Sequence, residues 1–328
     1  KWKKLAPAKA GQSIDRLVAF VDFGPTVLNL LGLTIPEHMQ GIPFLGPESD
    51  KSRDFVFGHR DRVDEARDLA RSVRDQDFLY IRNYMPHLSY NQPTAWPDLG
   101  EIRHEFYRLA ETGRMTPPQW HFAGPTRPAE ELYDCRNDPQ NLHNLIGSKE
   151  HRKVLQGMRE KLNGHLRETR DLGFLPEFEA WQAFAGSSGW AVGQSGSIDL
   201  EAIRTAASAV GLAREKTLLA NLGSANPLIR YWGTIGLGAL SSKPSKASLR
   251  ALENALLDSS PSVRIEAANA LANHGFTDIA LPILINELKH ENLIVVTHAA
   301  RTLELLGTKA KGAIPAMRAC LKRAHRIR

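Results

Sequence analysis

Pro227-Leu228-Ile229-Arg230, Pro261-Ser262-Val263-Arg264 and Asn292-Leu293-Ile294-Val295 open three versions of one helical phrase. The first leads into a helix containing Gly233, Leu237 and Leu240. The second leads to Ala267 and Leu271, and the third to Ala299, Ala300 and Leu303. The offset is 34 residues from Arg230 to Arg264 and 32 from Leu271 to Leu303. Between the phrases, Leu249 to Leu257 and Ile279 to Leu288 have the apolar spacing of partner helices. One such pair is too small to bury its own apolar face, so the pairs must stack. Gly233, Ala267 and Ala299 are small enough to let neighbouring helices approach closely. Residues 199–328 are therefore expected to form an all-α solenoid.

Upstream the composition changes. Gly186-Ser187-Ser188-Gly189 and Gly193-Gln194-Ser195-Gly196-Ser197 make 186–198 a Gly/Ser-rich linker, expected to be flexible. Residues 1–185 are richer in Pro, aromatics, Arg and Asp, and they mix element types. Asp22 to Leu31 reads as a helix that Asp22 caps, with Pro25 in its first turn and Gly32 after its end. Asp54 to His59, Leu69 to Arg74, Phe78 to Tyr84 and Glu131 to Cys135 read as strands. Asp75-Gln76-Asp77 makes the middle two a hairpin. In the second hairpin strand, Phe78, Tyr80, Arg82 and Tyr84 share one face, and Leu79 and Ile81 the other. Asp98 to Gly113 and Ser148 to Thr169 read as helices. In the latter, Val154, Met158, Leu162 and Leu166 recur at intervals of four. The expectation is an α+β region: a small antiparallel sheet with helices.

The 328 residues are 42% hydrophobic and 24% charged, which excludes disorder. The net charge is +6, but the basic residues are spread along the chain rather than set in a stripe, apart from the tail Lys322 to Arg328. No nucleic-acid partner is expected; anionic small molecules or polysaccharides suit this charge equally well. No apolar run has the length of a membrane span. Cys135 and Cys320 are too few and too far apart for a disulfide framework or a cysteine zinc site. The start, Lys1-Trp2-Lys3-Lys4, has no Met and reads as a sequence entered midway, so it says nothing of localisation.

The densest candidate for chemistry is His59-Arg60-Asp61-Arg62-Val63-Asp64-Glu65. It follows an apolar strand, and guanidinium forks suit sulfate, phosphate and carboxylate. In extended chain Arg60 and Arg62 share a face with Asp61 opposite, which leaves a fork for an anion. The competing reading is a solvated cluster in which Asp61, Asp64 and Glu65 neutralise the arginines. The remaining histidines form no metal motif, and neither cysteine has an activating context.

Several blocks in order resemble one family. Lys1 to Pro7 and Asp15-Arg16-Leu17-Val18-Ala19-Phe20-Val21-Asp22-Phe23-Gly24-Pro25-Thr26-Val27-Leu28 are similar to the sulfatase segment D-R-L-V-S-F-V-D-x-A-P-T-x-L, with Gly24 in place of Ala. Pro36 to Gly41 resembles its P-x-x-M-Q-G. Arg60 to Glu65, Arg71 to Asp75 and Tyr80 to Pro86 resemble R-x-R-M-D-E, R-S-V-R-D and Y-I-R-N-Y-x-P. Glu131-Leu132-Tyr133-Asp134, Asp138-Pro139 and Asn144-Leu145 resemble the E-L-Y-D…D-P…N-L signature, and Asn141 departs from it. Residues 1 to about 180 are thus identified as the C-terminal part of a sulfatase, in the branch of arylsulfatases and heparan N-sulfatase-like enzymes. The helical repeats resemble the HEAT family, although their period is short and armadillo-like or unclassified solenoids remain open.

The resemblance implies a hydrolase of sulfate esters or sulfamates that uses formylglycine and calcium, in the periplasm or secreted. The formylglycine motif C/S-x-P-x-R does not occur in this chain, and the family's calcium ligands lie upstream of Lys1. The chain alone is therefore expected to be inactive. What remains is the subdomain closing one side of the substrate cleft. There His59, Arg60 and Arg62 are expected to touch a sulfated small molecule or glycan, while the repeats offer a surface to a protein partner. The alternative is a non-catalytic solenoid binding module on a sulfatase-like scaffold.

Overall fold

The computed structural model describes residues 8–324. The Lys1–Pro7 block and the last four residues of the basic tail lie outside the described residues. In chain order the elements are α1 (Phe23–Leu31), β1 (Val56–Arg60), β2 (Ala70–Arg74), β3 (Phe78–Asn83), α2 (Glu101–Glu111), α3 (Pro117–Ala123), β4 (Glu130–Asp134), α4 (Arg152–Glu168), α5 (Glu177–Ala183), α6 (Gly189–Ser195) and α7 (Leu200–Ser208). There follow α8 (Glu215–Leu222), α9 (Pro227–Gly238), α10 (Lys246–Ala255), α11 (Pro261–Asn273), α12 (Thr277–Glu287), α13 (Leu293–Leu306) and α14 (Ile314–Ala324). The chain makes two compact units. Unit 1 holds the described residues up to His59, Arg71–Arg82 and Glu130–His165. Unit 2 holds Arg60–Ala70, Asn83–Ala129 and the described residues from Leu166. Compact packing thus groups residues differently from composition, and the division at 186–198 stands as a proposal about the segments' origin.

The strands form one small antiparallel sheet in the order β1-β2-β3-β4. The expected hairpin is β2 and β3. Asp75 Oδ1 accepts from Asp77 N at 2.8 Å and Phe78 N at 2.6 Å, which tightens the turn. β4 pairs with β3 in the register Tyr80↔Leu132 and Arg82↔Glu130. The face of β3 that carries Tyr80 and Arg82 is the buried one, while Leu79 and Ile81 are half-buried. Buried polar groups need partners. Tyr80 donates to Glu130 Oε1 at 2.6 Å, and Arg159 on α4 grips the same carboxylate with Nε at 2.7 Å and Nη2 at 2.5 Å. Burial alone would raise the Glu130 carboxyl, but the bonds from Arg159 and Tyr80 outweigh it and hold it below the usual range.

One local expectation is corrected. Asp22 occupies the N-cap position of α1 but its side chain makes no cap bond to that helix. Its carboxylate accepts from Ala19 N and Ile42 N, both at 2.8 Å, and pairs with Arg53. A short acid that can knit three strands of loop together is drawn away from the helix end. Gly41 makes that knitting possible, because a Cβ there would lie 2.1 Å from the Val21 carbonyl oxygen. Within the Gly/Ser stretch Gly189–Ser195 is helical, started by Ser188 Oγ accepting from Ala191 N at 3.1 Å. The two departures from the family pattern have room. Asn141 sits at φ 55°, where Asn is well tolerated, and a Cβ on Gly24 would meet nothing nearer than Met39 at 3.9 Å.

In unit 2 the repeats form as their spacing predicts. Each repeated helix starts on a capping side chain: Asn226 for α9, Ser260 for α11 and Asn292 for α13. Arg230 and Arg264, one repeat apart, do the same job. Each bonds two carbonyls of the loop before its helix, and each reaches forward to an acid, Asp258 at 2.7 Å and Glu287 at 2.7 Å respectively. α8 packs on α9, α9 on α11, and α11 on α12 and α13. Ala267 and Ala299 are fully buried. A Cβ on Gly233 would stand 2.4 Å from the backbone nitrogen of Leu222, so only Gly permits the α8–α9 approach. α11 is buried on nearly every side, which means that something other than its partner helix covers it.

Candidate functional site

Besides its neighbouring helices, the segment that follows Arg60 reaches α11. Val63 and Ala66 exchange two backbone hydrogen bonds, 3.0 and 2.9 Å, around Asp64 at φ 49°. Asp is among the few side-chain-bearing residues that take this left-handed region readily. The tight turn sends Arg67 inward. Arg67 Nη1 lies 2.7 Å from Glu266 Oε1, and its guanidinium also bonds the Tyr231 hydroxyl and His298. His298 Nε2 is 2.8 Å from the same Glu266 oxygen. Trp232, Glu266 and His298 hold equivalent places in successive repeats, 34 and 32 residues apart, and Trp232 Nε1 donates to Phe174 O at 2.9 Å.

This network is buried, so its charges are set by its own members. Burial would lower Arg67, but Tyr231 and Glu266 keep it firmly charged. Burial would raise Glu266, but Arg67 and His298 hold it well below the carboxylate range. Burial, reinforced by the Arg67 charge, lowers His298 to about 4. The cluster is thus a cation, an anion and a neutral imidazole at pH 7.

A pocket of about 200 Å³ opens beside it. Arg62, Glu65 and Arg67 of the turn, Glu177 and Phe178 of α5, and α13 residues including Thr297, His298 and Arg301 line it. Arg301 is 3% exposed. Its Nη1 reaches Glu304 at 2.7 Å and its Nη2 reaches Gln92 at 3.2 Å. Its buried Nε has no hydrogen-bond partner.

The sequence-predicted residues are placed as follows. His59, in unit 1, is exposed, with its ring 5.6 Å from that of His165. In unit 2, Arg60 Nε bonds Asp68 Oδ2 at 2.8 Å, and Arg127 grips the same buried carboxylate. Arg62 spends its fork on Glu177, with Nε at 2.9 Å and Nη2 at 2.8 Å. Arg60 and Arg62 thus meet the carboxylates of Asp68 and Glu177, and the fork that alternation would leave on Arg62 is occupied. The partners lie 8 and 115 residues away, beyond the reach of a local charge pattern. Sequence reading missed Arg67, Glu266, His298 and Arg301. The available signal was Glu266 at the register place that Trp232 fills one repeat earlier.

Among the described residues, no three His, Cys, Asp or Glu side chains are grouped to hold a cation. No helix among them is long and apolar enough to cross a membrane. Both cysteines are free and half-buried, and burial pushes the Cys135 thiol up, away from activation.

The comparisons with known proteins agree with the two-part reading. Residues 249–328 match the family model described as HEAT repeats. Two curated relatives, both ulvan-active sulfatases of Formosa agariphila, match about half of this chain. One is 37% identical over 171 residues and the other 25% over 179. A solved 2-O GAG sulfatase shares 20% identity over 49% of this chain and 27% of its own, with a TM-score of 0.32. The sequence matches span 29% and 33% of the curated relatives' length. About half of the chain is thus similar to sulfatases, and residues 249–328 are similar to HEAT repeats.

Proposed function

We propose that this chain is the substrate-cleft portion of a sulfatase acting on a sulfated glycan, and that nucleophile and cation come from residues outside this sequence. The observation that carries the reading is the 37% identity over 171 residues with an ulvan-active sulfatase. That relative makes a sulfated polysaccharide the substrate class. Formylglycine and calcium would supply the nucleophile and polarise the sulfate. This chain has neither a C/S-x-P-x-R motif nor, among the described residues, a grouped set of cation ligands. No step is therefore assigned here to either group.

The roles left to this chain are binding and orientation. His59, Arg60 and Arg62 are the proposed substrate contacts, because charge-assisted hydrogen bonds from guanidinium suit sulfate oxygens. The three differ in availability. All three are exposed, but Arg60 already bonds Asp68 and Arg62 already bonds Glu177, so a sulfate would compete with those carboxylates. The repeats are the proposed surface for a protein partner.

The test uses the complete gene product that contains this chain, with sulfate release from depolymerised ulvan as the readout. Arg60→Ala is expected to lower kcat/KM about tenfold while the melting temperature barely moves, since Asp68 keeps Arg127. An unchanged kcat/KM returns Arg60 to a solvated charge network. Turnover of a chromogenic aryl sulfate by residues 1–328 alone would overturn the assignment of the nucleophile elsewhere. An inert complete product would favour the non-catalytic solenoid module.

A further inference from the structure

We infer that unit 2 carries a binding site for one uncharged, hydroxyl-rich sugar unit, in the pocket lined by Arg62, Glu65, Arg67, Glu177, His298 and Arg301. Size comes first. Pockets for drug-sized ligands measure roughly 300–1,000 Å³, so about 200 Å³ suits a single ring. Charge comes second. Three arginines suggest an anion, but each already has its own carboxylate: Arg62 with Glu177 at 2.8 Å, Arg67 with Glu266 at 2.7 Å and Arg301 with Glu304 at 2.7 Å. Glu65 and Glu177 stand in the lining itself and would repel a sulfate or carboxylate. What the walls offer is donors and acceptors side by side. A hydroxyl group donates and accepts at once, so a ring with several hydroxyls is the ligand that uses both.

The site is also rigid and incomplete. Arg67 is fixed by Glu266, Tyr231 and His298, and Arg301 by Glu304 and Gln92. Rigid donors lose little entropy on binding. Arg301, whose buried Nε lacks a partner, is one of the residues lining the pocket. Phe178, Leu293 and Val295 supply an apolar wall for the C–H face of a ring. This site shares Arg62 with the proposed sulfate contacts and is formed only while Arg62 stays on Glu177; it needs no residue outside this chain.

Saturation-transfer NMR on residues 1–328 tests it, with D-glucose, D-galactose, D-mannose and D-xylose as probes and D-glucose 6-sulfate and sodium sulfate as comparators. The expected result is transfer to at least one neutral sugar, unaffected by sodium sulfate and abolished in Thr297→Trp. Thr297 is exposed on the lining, and its hydroxyl bonds only Leu293 O of its own helix, so the bulky ring fills the pocket without entering the core. Should that variant misfold, Glu65→Gln is expected to weaken the transfer about tenfold by removing one charged acceptor. Three outcomes overturn the inference: no transfer to any neutral sugar, transfer only to the sulfated sugar with displacement by sulfate, or unchanged transfer in the folded variant. None of them depends on whether the complete gene product releases sulfate.

Discussion

In the repeats, Ala267 and Ala299 vanish from solvent and Gly233 brings two helix backbones together. In the sheet, the buried face of β3 is filled by Tyr80 and Arg82, tied to Glu130 and Arg159. The first region is held by shape, the second by charge and hydrogen bonds. Shape tolerates no added volume, and buried charge tolerates no lost partner. The exception that sharpens the contrast is charge set among the helices: the pairs Arg230–Asp258 and Arg264–Glu287 at the helix starts, and the buried cluster of Arg67, Glu266 and His298.

The largest expected effect follows from that exception. Glu266→Ala strands the buried Arg67 charge and should cost about 3–5 kcal/mol, read as a shift of the urea midpoint. A small shift would mean that Arg67 leaves the repeats and that shape alone holds them. Acid should strike the same cluster. His298 is neutral in the fold, with its pKa lowered to about 4 against 6.5 when exposed, so the unfolded chain binds the extra proton. Stability is therefore full above pH 6.5 and is lost as pH falls toward 4. Between pH 6.5 and 5 this histidine accounts for about 2 kcal/mol. His87, buried and likewise lowered to about 4, adds in the same sense. Melting curves should show a flatter acid limb for His298→Gln, and an identical limb would remove His298 as its source. Ala267→Leu should overpack the buried face of α11 and cost about 1–3 kcal/mol by chemical denaturation. An unchanged midpoint would mean that this face is looser than its burial states. The smallest effect belongs to the sheet. Tyr80→Phe removes one hydrogen bond but leaves Glu130 with Arg159, for about 1 kcal/mol. A loss as large as that of Glu266→Ala would show that the sheet depends on single polar contacts as much as the cluster does.

The two regions were also legible to different degrees. A period of 32 to 34 residues announces a solenoid, because stacked helices repeat their packing in sequence. The hairpin was equally plain, since Asp75-Gln76-Asp77 interrupts an alternating pattern. The Asp22 cap was misjudged because an N-cap preference describes a helix end in isolation, while Arg53 and the Ile42 amide compete for the same carboxylate. The helix at Gly189–Ser195 was hidden by composition; Ser188 supplies the cap that Gly and Ser content alone does not reveal. For the site, His59, Arg60 and Arg62 stood out by local density. Arg67 did not, because its importance comes from Glu266 and His298, 199 and 231 residues further on.

Arrays of stacked helices usually gain or lose a repeat at little cost to the rest, because each unit touches only its neighbours. Here one arginine from a distant loop clasps α11 and α13 together, on side chains that occupy matching places in consecutive repeats. A duplicated or deleted repeat would carry one of those side chains out of reach and leave the guanidinium buried without its counter-charge. The length of this array is therefore pinned at that point, and natural variation in repeat number should fall toward the α14 end.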